Sequence, residues 1–232
     1  MTGSFQTWDD YFIPGTEVLR NLIPSRGRHG VRDPDELDRE EVSRAWIRIV
    51  ELASNPIVGS FDYDHFKRIH RHIFQDVYAW AGEPRVGPAT RMTKSGPDVV
   101  NYSPGDPAAP EMSYAYYPAG PEMEQAAERQ FNALAELLAE PGTDAHFLRE
   151  LAEVWAELNV AHPFREGNTR TQVVFFSQVL EHVGLALDAA ALGPGGALRE
   201  EFVAARFHSQ ATGSSARLAA VLASATARLT SS

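Results

Sequence analysis

Between Gly82 and Pro121 the chain carries prolines at positions 84, 88, 97, 104, 107, 110, 118 and 121. Proline removes a backbone donor and clashes with the preceding turn, so no long helix crosses this stretch. On both sides of it the pattern is helical. Asp35–Ser54 opens on Asp35, Glu36, Asp38, Glu40 and Glu41, which suit the positive end of a helix. It then places Val42, Trp46, Ile49 and Val50 at the spacing of a buried stripe, and Phe61–Trp80 does the same with Phe66, Ile69, Ile73, Val77 and Trp80. After Pro121, segments 121–140, 144–160, 168–183, 197–209 and 213–229 each carry a 3.6-residue period, punctuated by Pro141-Gly142 and Gly193-Pro194-Gly195-Gly196. A short helix is also predicted at 16–22. These segments predict an all-α fold. No polar linker divides the helices, so 1–232 is read as a single domain with its last helix at 213–229. Trp46, Trp80 and Trp155 lie on apolar stripes and are expected in the core. Inside the proline-rich stretch, short extended pieces are expected at Val99–Tyr102 and Tyr114–Tyr117, the alternative being a disordered insertion.

Composition narrows the chemistry. The 232 residues include no cysteine, which removes disulfides, thiolate nucleophiles and thiolate metal sites. The formal charge of −10 argues against a general nucleic-acid or anionic-membrane binder. The start, MTGSFQTWDDYF, lacks the basic and apolar regions of a secretory signal, and no run approaches a membrane span. The expectation is a soluble, cytoplasmic protein.

The segment that carries chemistry is Ala161-His162-Pro163-Phe164-Arg165-Glu166-Gly167-Asn168-Thr169-Arg170. Pro163 biases His162 out of helix, so a helix is expected to end there. Phe164 is its one large apolar residue and should anchor the loop. Glu166-Gly167-Asn168 is a turn that lets backbone approach a ligand closely. A new helix begins at Asn168, and a helix N-terminus offers unpaired N–H groups and a positive dipole end to an anion. An ordinary imidazole, with a pKa of about 6.5, is largely neutral at pH 7 and can accept a proton. A carboxylate beside phosphates is a natural Mg²⁺ ligand. The same residues equally describe a tight structural loop in which His162 caps a helix and Glu166 pairs with Arg170. The remaining histidines, at 29, 65, 70, 72, 146, 182 and 208, form no ligand set and are read as background.

His162-Pro-Phe-Arg-Glu-Gly-Asn-Thr-Arg170 resembles the signature of the Fic (filamentation induced by cAMP) family. Tyr11–Asn21, Phe61-Asp62 through His65, Ile69-His70, Phe74–Tyr78, Trp80–Glu83 and Glu157-Leu158-Asn159 are similar as well, so the match runs over about 8–210. The resemblance implies a helical bundle with a β-hairpin flap, here about 85–103. It implies transfer of AMP from ATP to a Ser, Thr or Tyr hydroxyl of a target protein. His162 would be the base, and Glu166 would hold Mg²⁺ across the α- and β-phosphates. Gly167, Asn168, Thr169 and Arg170 would bind the phosphates, with Asn168 and Arg170 on phosphate oxygens. Met92-Thr93-Lys94 would clamp a target strand added to the flap.

The sequence departs from that signature at two positions. Thr169 stands where the family has Gly or Lys, and Val173 stands where it has a second arginine. In AMP-transferring members that arginine holds the γ-phosphate, a contact worth about 1.5–3 kcal/mol. In one reading Arg85, Arg91 or Lys94 substitutes in an enzyme that still transfers AMP. Alternatively the chain is a Doc-like kinase, or uses another nucleotide-linked donor, such as a CDP-linked one, with a small-molecule acceptor. A catalytically degenerate nucleotide- or peptide-binding module is a further reading. The family's inhibitory pattern, Ser/Thr-x-x-x-Glu-Gly/Asn, is not found: Ser177–His182 has its first spacing only and falls on the wrong helix. Inhibition is therefore expected from a separate antitoxin, or was lost with the arginine at 173.

Overall fold

A computed structural model describes residues 5–24, 30–88 and 90–229. The ends of the expected 1–232 domain, His29, and Ala89 of the expected flap lie outside them. Among the described residues eight α-helices dominate: α1 (Pro34–Ser54), α2 (Tyr63–Phe74), α3 (Pro121–Ala139), α4 (Ala145–Ala161), α5 (Asn168–His182), α6 (Ala189–Leu192), α7 (Arg199–Thr212) and α8 (Ala216–Ala225). Two small antiparallel pairs complete it: β1 (Thr93–Pro97) with β2 (Glu111–Ala115), and β3 (Leu185–Leu187) with β4 (Thr226–Arg228). Among the described residues no helix is long and apolar enough to cross a membrane.

Local chemistry sets the helix starts. Asp33, Asp62 and Asp144 each accept from the N–H groups of the turn they precede, at Glu36, His65 and His146 with Phe147. α4 and α5 lie at the centre. Trp155 of α4 stacks on Phe176 of α5 with centroids 4.3 Å apart, and its indole donates to Gln172 at 3.3 Å. Phe66 of α2 stacks on Phe164 of the α4–α5 loop at 5.4 Å, which fixes that loop against the core.

Several expectations are corrected. No helix forms at 16–22. Instead Gly15, at φ +78°, turns the chain so that Ile13 N–H donates to Val18 O and Arg20 N–H to Tyr11 O, both at 2.8 Å. α2 stops at Phe74, and residues 75–83 form turns that still bury Val77 and Trp80. The hairpin runs over 93–115 rather than 85–103, with Thr93 opposite Ala115 and Pro97 opposite Glu111. Val99–Tyr102 is a turn organised by Asp98, which accepts from the N–H groups of Val100 and Asn101 at 3.0 Å. The chain end at 226–228 is a strand, not a continuation of α8.

The largest correction concerns α1. Its buried residues are Leu37, Glu41, Ala45 and Leu52, while Val42, Trp46 and Val50 face outward, Trp46 at 64% exposure. The helix carries two stripes of similar spacing, and the one with the smaller side chains meets α2. The reason is Glu41, whose partners lie inside. Trp46→Ala should change stability by less than about 0.5 kcal/mol. Trp155→Ala, which empties a fully buried site, should cost about 3–5 kcal/mol in urea unfolding.

Candidate active site

The site is the junction where α4 ends and α5 begins. His162 caps α4 in the left-handed conformation, at φ 49° and ψ 60°, which turns the chain sharply out of the helix. The carbonyls at this end are almost all satisfied. Arg85 donates through Nε to His162 O at 2.7 Å, and through Nη2 to Tyr117 O at 2.6 Å and Ala161 O at 3.4 Å. Its backbone N–H donates to Pro163 O at 2.7 Å, and Tyr117 N–H donates to Val160 O at 3.2 Å. Arg85 is buried, so it serves as a cap and not as the free phosphate cation that the sequence left open.

The α5 end is opposite in character. Gly167, at φ +79°, turns the chain into the helix, and a Cβ there would lie 2.2 Å from the Phe74 ring. The N–H groups of Asn168, Thr169 and Arg170 meet no acceptor among the described residues. They form an anion cradle of the kind a helix N-terminus provides. The Asn168 side chain does not line it. Its Oδ1 accepts from Phe164 N–H at 2.9 Å and its Nδ2 donates to Phe164 O at 2.7 Å, so it clamps the loop closed. Any contact of Asn168 with phosphate therefore belongs to its backbone. Glu166 is exposed, accepts from Gly167 N–H at 2.9 Å, and lies 3.7 Å from Arg170 Nη2. Val173 packs against the hydrophobic core.

The sequence reading missed three supporting residues, His70, Glu41 and Tyr116. His70 is fully buried and bridges two elements: its Nδ1 accepts from Gly82 N–H at 2.8 Å, which places the proton on Nε2 for donation to Glu166 O at 3.0 Å. Burial pushes His70 down to about 3, so the ring is neutral. Glu41, 6% exposed, accepts from both Arg170 Nη2 and the Tyr78 hydroxyl. Arg170 is thereby aimed across the Phe74 ring, 4.8 Å from its centroid. Tyr116, just past β2, stacks on His162 at 3.9 Å, and its N–H donates to Met92 O at 2.9 Å. That brings the flap residues Met92, Thr93 and Lys94 to the histidine. His70 was read among the background histidines, and Glu41 and Tyr116 left no local signal.

His162 itself is held well below the ordinary histidine range, first by burial and then by the charges of Arg85, Arg206 and Lys94. Its Nδ1 faces Asn159 O at 3.4 Å, a long contact that favours a proton there and a lone pair on Nε2. Glu181, at the far end of α5, lines a cleft of about 590 Å³ with Phe61, His65 and Gln178, remote from this chemistry along the helix.

The fold and this junction define a helical protein whose loop-borne histidine stands beside a backbone anion cradle. The chain belongs to the Fic/DOC family, whose model matches residues 60–180. It is 35% identical over 189 residues to the probable protein adenylyltransferase y4lH of Sinorhizobium fredii, covering 80% of this chain and 82% of that one. It is 34% identical over 181 residues to the protein adenylyltransferase VbhT of Bartonella schoenbuchensis, covering 78% of this chain and 32% of that longer protein. The crystal structure of BepC from Bartonella tribocorum with bound AMPPNP superposes with a TM-score of 0.73 at 20% identity, over 96% of this chain and 98% of that one, and establishes the likeness of fold.

Two predictions follow from the supporting residues. Glu41→Ala leaves the Tyr78 hydroxyl buried without a partner and should cost about 1–3 kcal/mol by urea unfolding. The second concerns pH. The folded pKa of His70 lies below its unfolded value of about 6.5, so the unfolded chain binds the proton first. The stability from the neutral ring is complete above that pH and drains away as pH falls toward about 3. His162 acts in the same direction. Urea midpoints should therefore drop between pH 7 and pH 5, with a shallower slope in His70→Asn.

Proposed function

We propose that this chain transfers AMP from ATP to a hydroxyl of a target protein. The carrying observation is the juxtaposition of a neutral, acceptor-ready His162 with the unpaired N–H groups of Asn168, Thr169 and Arg170. The His162 Nε2 takes the proton of the acceptor hydroxyl, whose oxygen attacks the α-phosphorus. The bond from that phosphorus to the bridging oxygen of the β-phosphate breaks, and pyrophosphate leaves. Charge that builds on the phosphate oxygens is met by the cradle's N–H groups and by Arg170, held in place by Glu41. The names of the 29–35% identical relatives support the same donor.

Mg²⁺ fits the residues present. Among the described residues no group of three or more metal-ligating side chains exists, and Mg²⁺ asks for only one or two carboxylates plus phosphate oxygens. Glu166 supplies one, exposed and with Oε2 free of protein hydrogen bonds. The ion, when bound, neutralises phosphate charge. The target is proposed to dock on the flap. Among the described residues β1 pairs only with β2, which leaves its other edge for an added strand.

Val173 favours a second reading, in which the γ-phosphate is transferred or another nucleotide-linked donor is used, because a core-packed valine offers no γ-phosphate contact. The experiment is incubation of the protein with lysate and ATP labelled at the α- or the γ-phosphate. AMP transfer predicts label on protein from the α-position only, lost by about 100-fold or more in His162→Ala. Label from the γ-position only would establish the kinase reading. Absence of label from both would exclude ATP as donor.

A further inference from the structure

Arg206 of α7 is a cation beside His162 with no carboxylate to neutralise it. Its Nε donates to Asn159 Oδ1 at 3.0 Å, and its Nη2 donates to the same oxygen. Its guanidinium carbon lies 5.3 Å from the Phe202 ring centroid. Asn159 sits in the last turn of α4, and its carbonyl is the group that faces His162 Nδ1. One residue thus holds Arg206 by its side chain and His162 by its backbone. Among the described residues no acid pairs with Arg206, and its Nη1 has no acceptor. That nitrogen is not sealed away from solvent either.

A half-buried guanidinium without a counterion is costly, and fixing it on a neutral amide does not remove the charge. Desolvation pulls Arg206 down to about 10, and the positive charge of Arg199 acts in the same direction. The other cations whose fields reach His162 are Arg85 and Lys94. Arg85 has no acid either, but it is sealed in the core with its Nε and Nη2 on carbonyls and has no N–H open to a ligand, while Lys94 stands exposed on β1. Arg170, on the other helix, already has Glu41. Arg206 is therefore the held cation at this site, uncompensated by an acid, that keeps a solvent-reachable nitrogen for a ligand.

We propose that Arg206 forms an anion subsite beside His162 that takes a phosphate group of the nucleotide donor. The proposal rests on the nucleotide reading above. It supplies from α7 a positive charge that position 173 of α5 lacks.

Binding is tested without turnover, by calorimetry with Mg²⁺ and AMPPNP, and in parallel with adenosine. Arg206→Gln should weaken AMPPNP by about tenfold or more, the loss expected for a charge-assisted hydrogen bond. Adenosine affinity should stay unchanged, and Arg206→Lys should recover most of the loss. AMPPNP affinity unchanged in Arg206→Gln would overturn the subsite and leave the nucleotide reading intact. Equal losses for AMPPNP and adenosine would also overturn it, by placing Arg206 on the nucleoside. A wild-type protein that binds neither ligand would refute the nucleotide reading itself, and the subsite with it. Should Arg206→Gln fail to fold, Asn159→Ala carries the test: it frees the guanidinium, and an unweakened AMPPNP affinity there would count against the proposal.

Discussion

Two helix ends meet at residues 161–168, and the protein treats them unequally. The C-terminal end of α4 presents carbonyls and the N-terminal end of α5 presents N–H groups. Those carbonyls are consumed by Arg85 and Tyr117, and the loop carbonyls of Phe164 and Glu166 by the Asn168 side chain and His70. The N–H groups are left open. A junction with both ends satisfied would be an ordinary interhelical loop. With only the negative end satisfied, it becomes a place for an anion. The rest of the structure serves this asymmetry: α2 supplies His70 and Phe74, α1 supplies Glu41, and the flap supplies Tyr116 over the histidine.

That arrangement also explains why so much polar chemistry is buried around one loop. His70 and Asn168 each satisfy a donor and an acceptor at once, so neither leaves a polar orphan. Glu41 is buried with two donors, which holds Arg170 without closing its remaining N–H groups. The departures from the family's signature become physical at the same place. Val173 packs, half-buried, against the core, while Thr169 sits at the open mouth of α5, half-buried.

The sequence made the helices and the loop legible because both rest on local signals. Proline density, 3.6-residue spacing and the His-Pro and Gly-Asn turns are written in contiguous residues, and α3, α4 and α5 begin and end within a residue of where the pattern puts them. What stayed hidden depends on partners far along the chain. Trp46 looked like core because spacing cannot tell which of two stripes on α1 meets α2; the choice falls to Glu41, whose partner Arg170 is 129 residues away. An extended piece was expected at Tyr114–Tyr117, but its pairing with β1 stayed hidden because Asp98 and its neighbours make a long turn, so β2 pairs beyond the expected flap boundary. Arg85 read as a free cation, since nothing local shows that it faces the carbonyls of α4.

The most direct measurement is a crystal structure of the protein with Mg²⁺ and a non-hydrolysable ATP analogue. The account predicts phosphate oxygens on the N–H groups of Asn168, Thr169 and Arg170, with a phosphorus atom in reach of His162 Nε2. A nucleotide bound elsewhere, with those three N–H groups still facing water, would contradict it.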